Sequence, residues 1–158
     1  MKQKSKKKSL TFEHALKKAQ SYCAYQERCQ QEVRNKLYEW ELKQHEVENI
    51  ISDLITDNFL NEERFAKAYA GGKFRIKKWG REKIILELKK RKISDYCIAR
   101  AMKEIEEDDY NTSLRKILFE KSKEIKEKNS IKKNYKLVQY ALSKGYESEL
   151  VWDCINKL

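Results

Sequence analysis

Between Lys73 and Lys92 the chain carries ten lysine or arginine residues against two glutamates, a local balance of +8 in a protein whose formal charge is +11. Guanidinium forks grip phosphates and carboxylates at two points, and ammonium groups act on the same ligands as point charges. The chemistry on offer is recognition of a polyanion, either a nucleic-acid backbone or an acidic protein surface. Trp79 stands in the middle of the run, where it either plugs a corner between two helices or stacks on a base or a partner side chain. The candidate contact residues are Lys73, Arg75, Lys77, Lys78, Trp79, Arg81, Lys83, Lys89, Lys90, Arg91 and Lys92.

Residues suited to making or breaking bonds are sparse. His14 and His45 are the two histidines, and both fall at helix starts with no nucleophile beside them. Cys23, Cys29, Cys97 and Cys154 show no C-x-x-C spacing, and Cys23, Cys97 and Cys154 fall on apolar helical positions, so they read as reduced core residues of a cytoplasmic protein. The acidic run Glu106-Glu107-Asp108-Asp109 lacks the alternation and the glycine of a calcium loop, and reads as a solvated linker. Gly71-Gly72 has no phosphate-loop context, and reads as a close helix approach or a hinge. The sequence thus predicts no enzyme, no metal and no cofactor.

The elements that must hold the basic run are helices. Proline is absent and glycine occurs four times, which permits long helices and starves hairpins of turn residues. Thr11 is a plausible N-cap for a helix with Phe12, Ala15, Leu16, Ala19 and Cys23 on one stripe. Helices follow over Gln30 to Trp40 and from Gln44. Asn61 caps the next, with Phe65, Tyr69, Gly72 and Ile76 expected on its buried side. A Lys-Lys-Trp-Gly corner turns the chain into a helix bearing Ile84, Ile85 and Leu88, and Ser94 caps a shorter one. Beyond the acidic run come helices with Leu114, Ile117 and Leu118, then Leu137, Val138 and Ala141, then Val151, Cys154 and Ile155. Gly145 is the stop for the second of these.

The pattern repeats. Val33, Leu37, Leu42, Val47, Ile50 and Ile51, shifted by 51, become Ile84, Leu88, Ile93, Ile98, Ala101 and Met102. A further shift of 53 gives Leu137, Ala141, Tyr146, Val151, Cys154 and Ile155, so every shifted position is apolar. At this composition the coincidence has a chance on the order of one in 10⁵ before allowing for the choice of register. The expected architecture is all-α: three tandem three-helix repeats over 9–57, 58–105 (with the basic centre) and 106–158, forming an elongated, curved array behind a disordered basic tail at 1–8. That tail lacks the apolar stretch of a secretory leader, and no apolar run reaches the length of a membrane span. The three-helix unit suggests a helix-turn-helix. Its candidate reading heads (Tyr96, Ala99 and Arg100, or Glu48 and Asn49) suit base edges poorly, which favours backbone contacts over sequence readout.

Three segments resemble the RecX regulatory proteins. Asn58-Phe59-Leu60-Asn61-Glu62-Glu63-Arg64-Phe65-Ala66 is similar to the family's central signature, with Asn58 where the pattern has glycine. Gly80-Arg81-Glu82-Lys83-Ile84 and Glu87-Leu88-Lys89-Lys90-Arg91-Lys92-Ile93 resemble its second segment, with Lys92 in place of another glycine. Ala141-Leu142-Ser143-Lys144-Gly145-Tyr146 resembles its terminal element. The resemblance covers nearly all of residues 10–158 and implies a modulator of the RecA recombinase. Such a protein is built of tandem three-helix repeats, lodges in the helical groove of the RecA–DNA filament and inhibits ATP hydrolysis and strand exchange. It implies a role in recombination, DNA repair and the SOS response for a cytoplasmic monomer. Arg64 matches the signature arginine, with two roles open to it: a structural pairing with a neighbouring carboxylate, or contact with the partner. The rival expectation is a sequence-tolerant protein binding single- or double-stranded DNA backbone independently of RecA.

Overall fold

The computed structural model describes residues 10–158, and the expected basic tail at 1–8 lies outside them. The described residues form nine α-helices and no strand: α1 (Phe12–Tyr25), α2 (Gln30–Glu39), α3 (Gln44–Thr56), α4 (Glu62–Lys77), α5 (Arg81–Lys90), α6 (Asp95–Met102), α7 (Glu107–Glu124), α8 (Ser130–Ser143) and α9 (Ser148–Asn156). Two compact units divide the chain, one ending at Phe65 and one beginning at Ala66.

In the first unit α1, α2 and α3 pack on one another around Ala15, Ala19, Val33, Leu37, Val47, Ile50 and Leu54. The Thr11 hydroxyl accepts the His14 N–H at 3.3 Å, closing the first turn of α1. The signature arginine is structural. Its Nε is 2.5 Å from Glu27 Oε1, and its Nη2 donates to the carbonyls of Asn58 (3.1 Å) and Phe59 (3.4 Å). Arg64 thereby ties the turn after α3 to the turn before α2, neutralising a half-buried carboxylate and giving two carbonyls of the turn after α3 a donor.

The sequence repeat has a backbone counterpart. After α2, α5 and α8 the chain enters the left-handed region at Glu41 (φ 62°), Lys92 (φ 60°) and Gly145 (φ 97°). The following residue then donates its N–H five residues back, from Leu42 to Leu37, Ile93 to Leu88 and Tyr146 to Ala141. This is the Schellman closure, made three times at the spacing of the apolar repeat. The repeat residues are buried except Met102 and Cys154, which are half-buried. Asn58 (φ 62°) closes α3 in the same way, with Phe59 N–H on the Leu54 carbonyl at 2.8 Å. Both positions at which this chain lacks the family's glycine are therefore left-handed, where a Cβ is disfavoured.

Three expectations are corrected. Phe65 is buried as expected, but Ile76 is 78% exposed, and the rest of the buried face of α4 includes Ala66, Ala70 and Phe74. Two apolar stripes compete on this helix, and the one with small alanines lets neighbouring elements come close. The acidic run is not a linker. Glu106 is the N-cap of α7, and Glu107, Asp108 and Asp109 form its first turn, where the helix dipole favours negative charge. Gly71 and Gly72 mark neither a close helix approach nor a break. A Cβ at Gly72 would meet nothing within 4 Å, the atoms nearest one at Gly71 would be the Arg75 side chain of the same helix, and α4 runs through both.

Candidate polyanion-binding site

The basic run is carried by the end of α4, the corner Lys78-Trp79-Gly80 and α5. Its placement follows from how α5 is anchored in the second unit. Gly80 N–H donates to the Lys144 carbonyl at 2.7 Å, and Glu82 N–H donates to the Gly145 carbonyl at 3.0 Å. The unpaired donors opening α5 thus meet the unpaired acceptors closing α8, each end capping the other. The approach is so close that a Cβ at Gly80 would run into the Gly145 carbonyl group.

Tyr110 seals this junction. It is fully buried, with its hydroxyl accepting the Arg81 N–H at 3.0 Å and donating to Glu147 at 2.8 Å. Its ring lies between Phe74 and Tyr146, with centroids at 5.9 and 5.0 Å. Burial pushes its phenol well above the usual tyrosine range, keeping the hydroxyl protonated and able to donate.

Against this frame the eleven expected contact residues separate. Arg81 is turned inward: its guanidinium stacks 3.9 Å from the Tyr110 ring centroid and pairs with Glu107 (2.5 Å) and Glu147 (3.7 Å). Its expected role as an outward contact is corrected to a clamp between α5 and the turns opening α7 and α9. Arg91 is half-buried, 3.1 Å from Glu87 and 4.8 Å from the Tyr69 ring centroid. Lys90 also pairs with Glu87, at 3.0 Å, but stays exposed. The hydrogen bonds from Lys90 and Arg91 hold the Glu87 carboxyl below the usual range. Lys73, Trp79 and Lys83 form one cluster. The two ammonium groups lie 4.9 and 4.5 Å from the indole centroid, and the indole meets Tyr69 edge to face at 6.5 Å. Trp79 is half-buried there, nearer the corner-plug reading than the stacking one. Arg75, Lys77, Lys78, Lys89 and Lys92 are exposed and project from this scaffold.

The third repeat brings cations that the basic run did not announce. A groove of about 480 Å³ lies between the end of α4 and the α7–α8 pair, with Phe74, Ile117 and Tyr140 among its apolar lining and Arg75, Lys78, Lys116 and Lys121 among its charged lining. Lys144 comes within reach of the same ring, its ammonium 6.0 Å from the Tyr140 centroid and 3.4 Å from the Lys77 carbonyl. A sequence signal existed: residues 115–136 hold nine lysines or arginines against three glutamates.

Comparison with known proteins places this architecture. Sequence models of the first and second RecX three-helix domains match residues 15–54 and 61–102, together just over half of the chain. Among curated relatives, the regulatory protein RecX of Clostridium perfringens (strain 13 / Type A) is 30% identical over 131 residues, covering 82% of this chain and 59% of its own length. That of Bacillus cereus (strain B4264) is 24% identical over 144 residues, covering 91% of this chain and 53% of its own. The chain therefore spans little more than half the length of these relatives. The crystal structure of RecX from Lactobacillus salivarius superimposes with a TM-score of 0.82 at 22% identity, covering 93% of this chain and 96% of that one, and shares the fold. Two adjacent domain matches, relatives that carry one name and a common helical repeat lead to the same place: the chain belongs to the RecX family of regulatory proteins.

Proposed function

We propose that this protein binds the RecA–DNA filament, lodges in its helical groove and inhibits the recombinase's ATP hydrolysis and strand exchange. It would act as a cytoplasmic monomer that limits filament growth in recombination and repair. The observation that carries the reading is the set of exposed cations Arg75, Lys77, Lys78, Lys89 and Lys92, presented by helices whose ends are locked to one another. Charge carried on a stiff backbone suits a regular polyanionic fibre, because little backbone freedom remains to be lost on binding. Family membership, with relatives named as regulatory proteins, supports the choice of fibre.

The test is charge reversal at Arg75, Lys77, Lys78, Lys89 and Lys92 together, which spares Arg81 and Arg91 with their internal partners. The expected result is a folded protein that no longer inhibits RecA's DNA-dependent ATPase. An inhibition curve unchanged from wild type would remove this surface from the mechanism. A sequence-tolerant DNA binder makes a different prediction in a second arm: labelled single-stranded DNA is bound equally well with and without RecA.

A further inference from the structure

We infer that the groove between the end of α4 and the α7–α8 pair is a binding site for single-stranded nucleic acid, which takes one unstacked base against Tyr140. The inference concerns the protein without RecA, and neither needs nor implies the filament reading.

Tyr140 is half-buried, and the Lys121 ammonium lies 4.8 Å from its ring centroid. An aromatic floor ringed by cations matches a base joined to phosphates, since the base offers a flat face and the backbone offers negative charge. The volume of about 480 Å³ lies within the range of small-ligand pockets and leaves room for a base and its sugar. Carboxylates of Asp109, Glu120 and Glu124 also border the groove, Glu124 pairing with Lys121 at 3.2 Å. They would repel an acidic peptide, which has few donors to offer them. A base brings exocyclic or ring N–H groups that carboxylates accept, while its phosphates stay with the cations of the rim.

A second feature points to a strand rather than a single nucleotide. Phe119 lies three residues along α7 from Lys116, is 52% exposed, and has the Lys123 ammonium 4.3 Å from its centroid. An exposed aromatic with its own cation next to the groove provides a platform for a neighbouring base.

The experiment titrates a labelled single-stranded oligonucleotide of mixed sequence, containing a fluorescent adenine analogue, with the full chain in the absence of RecA. Lys116→Glu and Phe119→Ala are compared with Lys17→Glu, which makes the same charge change at an exposed position on α1. Lys116→Glu is expected to weaken binding by about tenfold and to flatten the salt dependence by about one ion per lost phosphate contact. Phe119→Ala is expected to weaken it by about tenfold and to reduce quenching of the base analogue. Lys17→Glu is expected to change the affinity less than twofold, and helical circular dichroism should match wild type for all three variants. Three results would each overturn the site: equal weakening by Lys17→Glu and Lys116→Glu, duplex DNA of the same length bound as tightly as the single strand, or full displacement of the strand by polyglutamate at equal charge.

Discussion

Replacing Gly80 by alanine would add one methyl group at the point where α5 and α8 meet. Gly80 sits at φ −79° and ψ 169°, a conformation open to any residue, so the backbone itself does not require glycine there. The obstacle is steric. The new Cβ would overlap the Gly145 carbonyl group and the Tyr146 nitrogen, which are main-chain atoms and cannot swing aside. Relief requires the start of α5 to back away from the end of α8, at the expense of the 2.7 Å bond from Gly80 N–H and the 3.0 Å bond from Glu82 N–H. Overpacking of this kind costs about 1–3 kcal/mol, and two strained or broken bonds add about 1 kcal/mol each. The sum, about 3–5 kcal/mol, is a large part of the 5–15 kcal/mol or so that holds a typical domain together. In urea unfolding followed by helical circular dichroism, the midpoint should fall by at least about 1 M. The control is Gly72→Ala, the same chemical change in the middle of α4 with open space around the new methyl group. It should raise stability by about 0.5–1 kcal/mol through helix propensity alone. If Gly80→Ala unfolded within about 0.5 kcal/mol of wild type, the mutual capping of α5 and α8 would be refuted as a source of stability.

Lys92→Gly should stabilise the second repeat by about 1 kcal/mol, because φ 60° burdens a lysine and suits glycine, and thermal unfolding would register it. Tyr110→Phe removes the acceptor of the Arg81 N–H and a donor to Glu147, leaving polar groups near the junction unpaired; urea unfolding should show a loss of about 1–3 kcal/mol. Burial pushes the Cys23 thiol up to about 11, so the folded state holds a proton that the unfolded chain releases nearer pH 9. Stability from this source is complete below about pH 9 and is lost as pH rises toward 11, and Cys23→Ala should flatten that part of the profile. A stability curve equally steep without the thiol would count against it.

Helix starts were readable from single residues because capping is local. Thr11, Asn61 and Ser94 each accept the backbone N–H three residues on, as their side chains would lead one to expect. The threefold repeat was readable because burial enforces apolar residues at the same offsets in each unit. The glycine pattern carried information of the same kind, since Asn58 and Lys92 fall at left-handed positions that a glycine would fill more comfortably.

The candidate surface was only half readable. Helical periodicity tells which way a side chain leaves its own helix, but not what another helix brings to meet it. Arg81 reads as free on its own helix because Glu107 and Glu147 lie far along the chain, and the groove around Tyr140 escapes a local reading because its cations come from α4, the corner after it and α7 while its ring comes from α8. On α4 the stripe containing Ile76 was as regular as the one containing Phe74, and packing alone chose between them.

What the amino-acid order determined by itself is an all-helical, repeating chain with a concentrated positive charge, because composition, caps and apolar spacing act within a few residues of one another. What tertiary structure decided is which charges remain available. Carboxylates and the Tyr110 ring from the third repeat immobilise Arg81, while a neighbouring groove brings Arg75 of α4, Lys78 of the corner and two lysines of α7 to one tyrosine of α8, and such pairings depend on distances that no local pattern encodes.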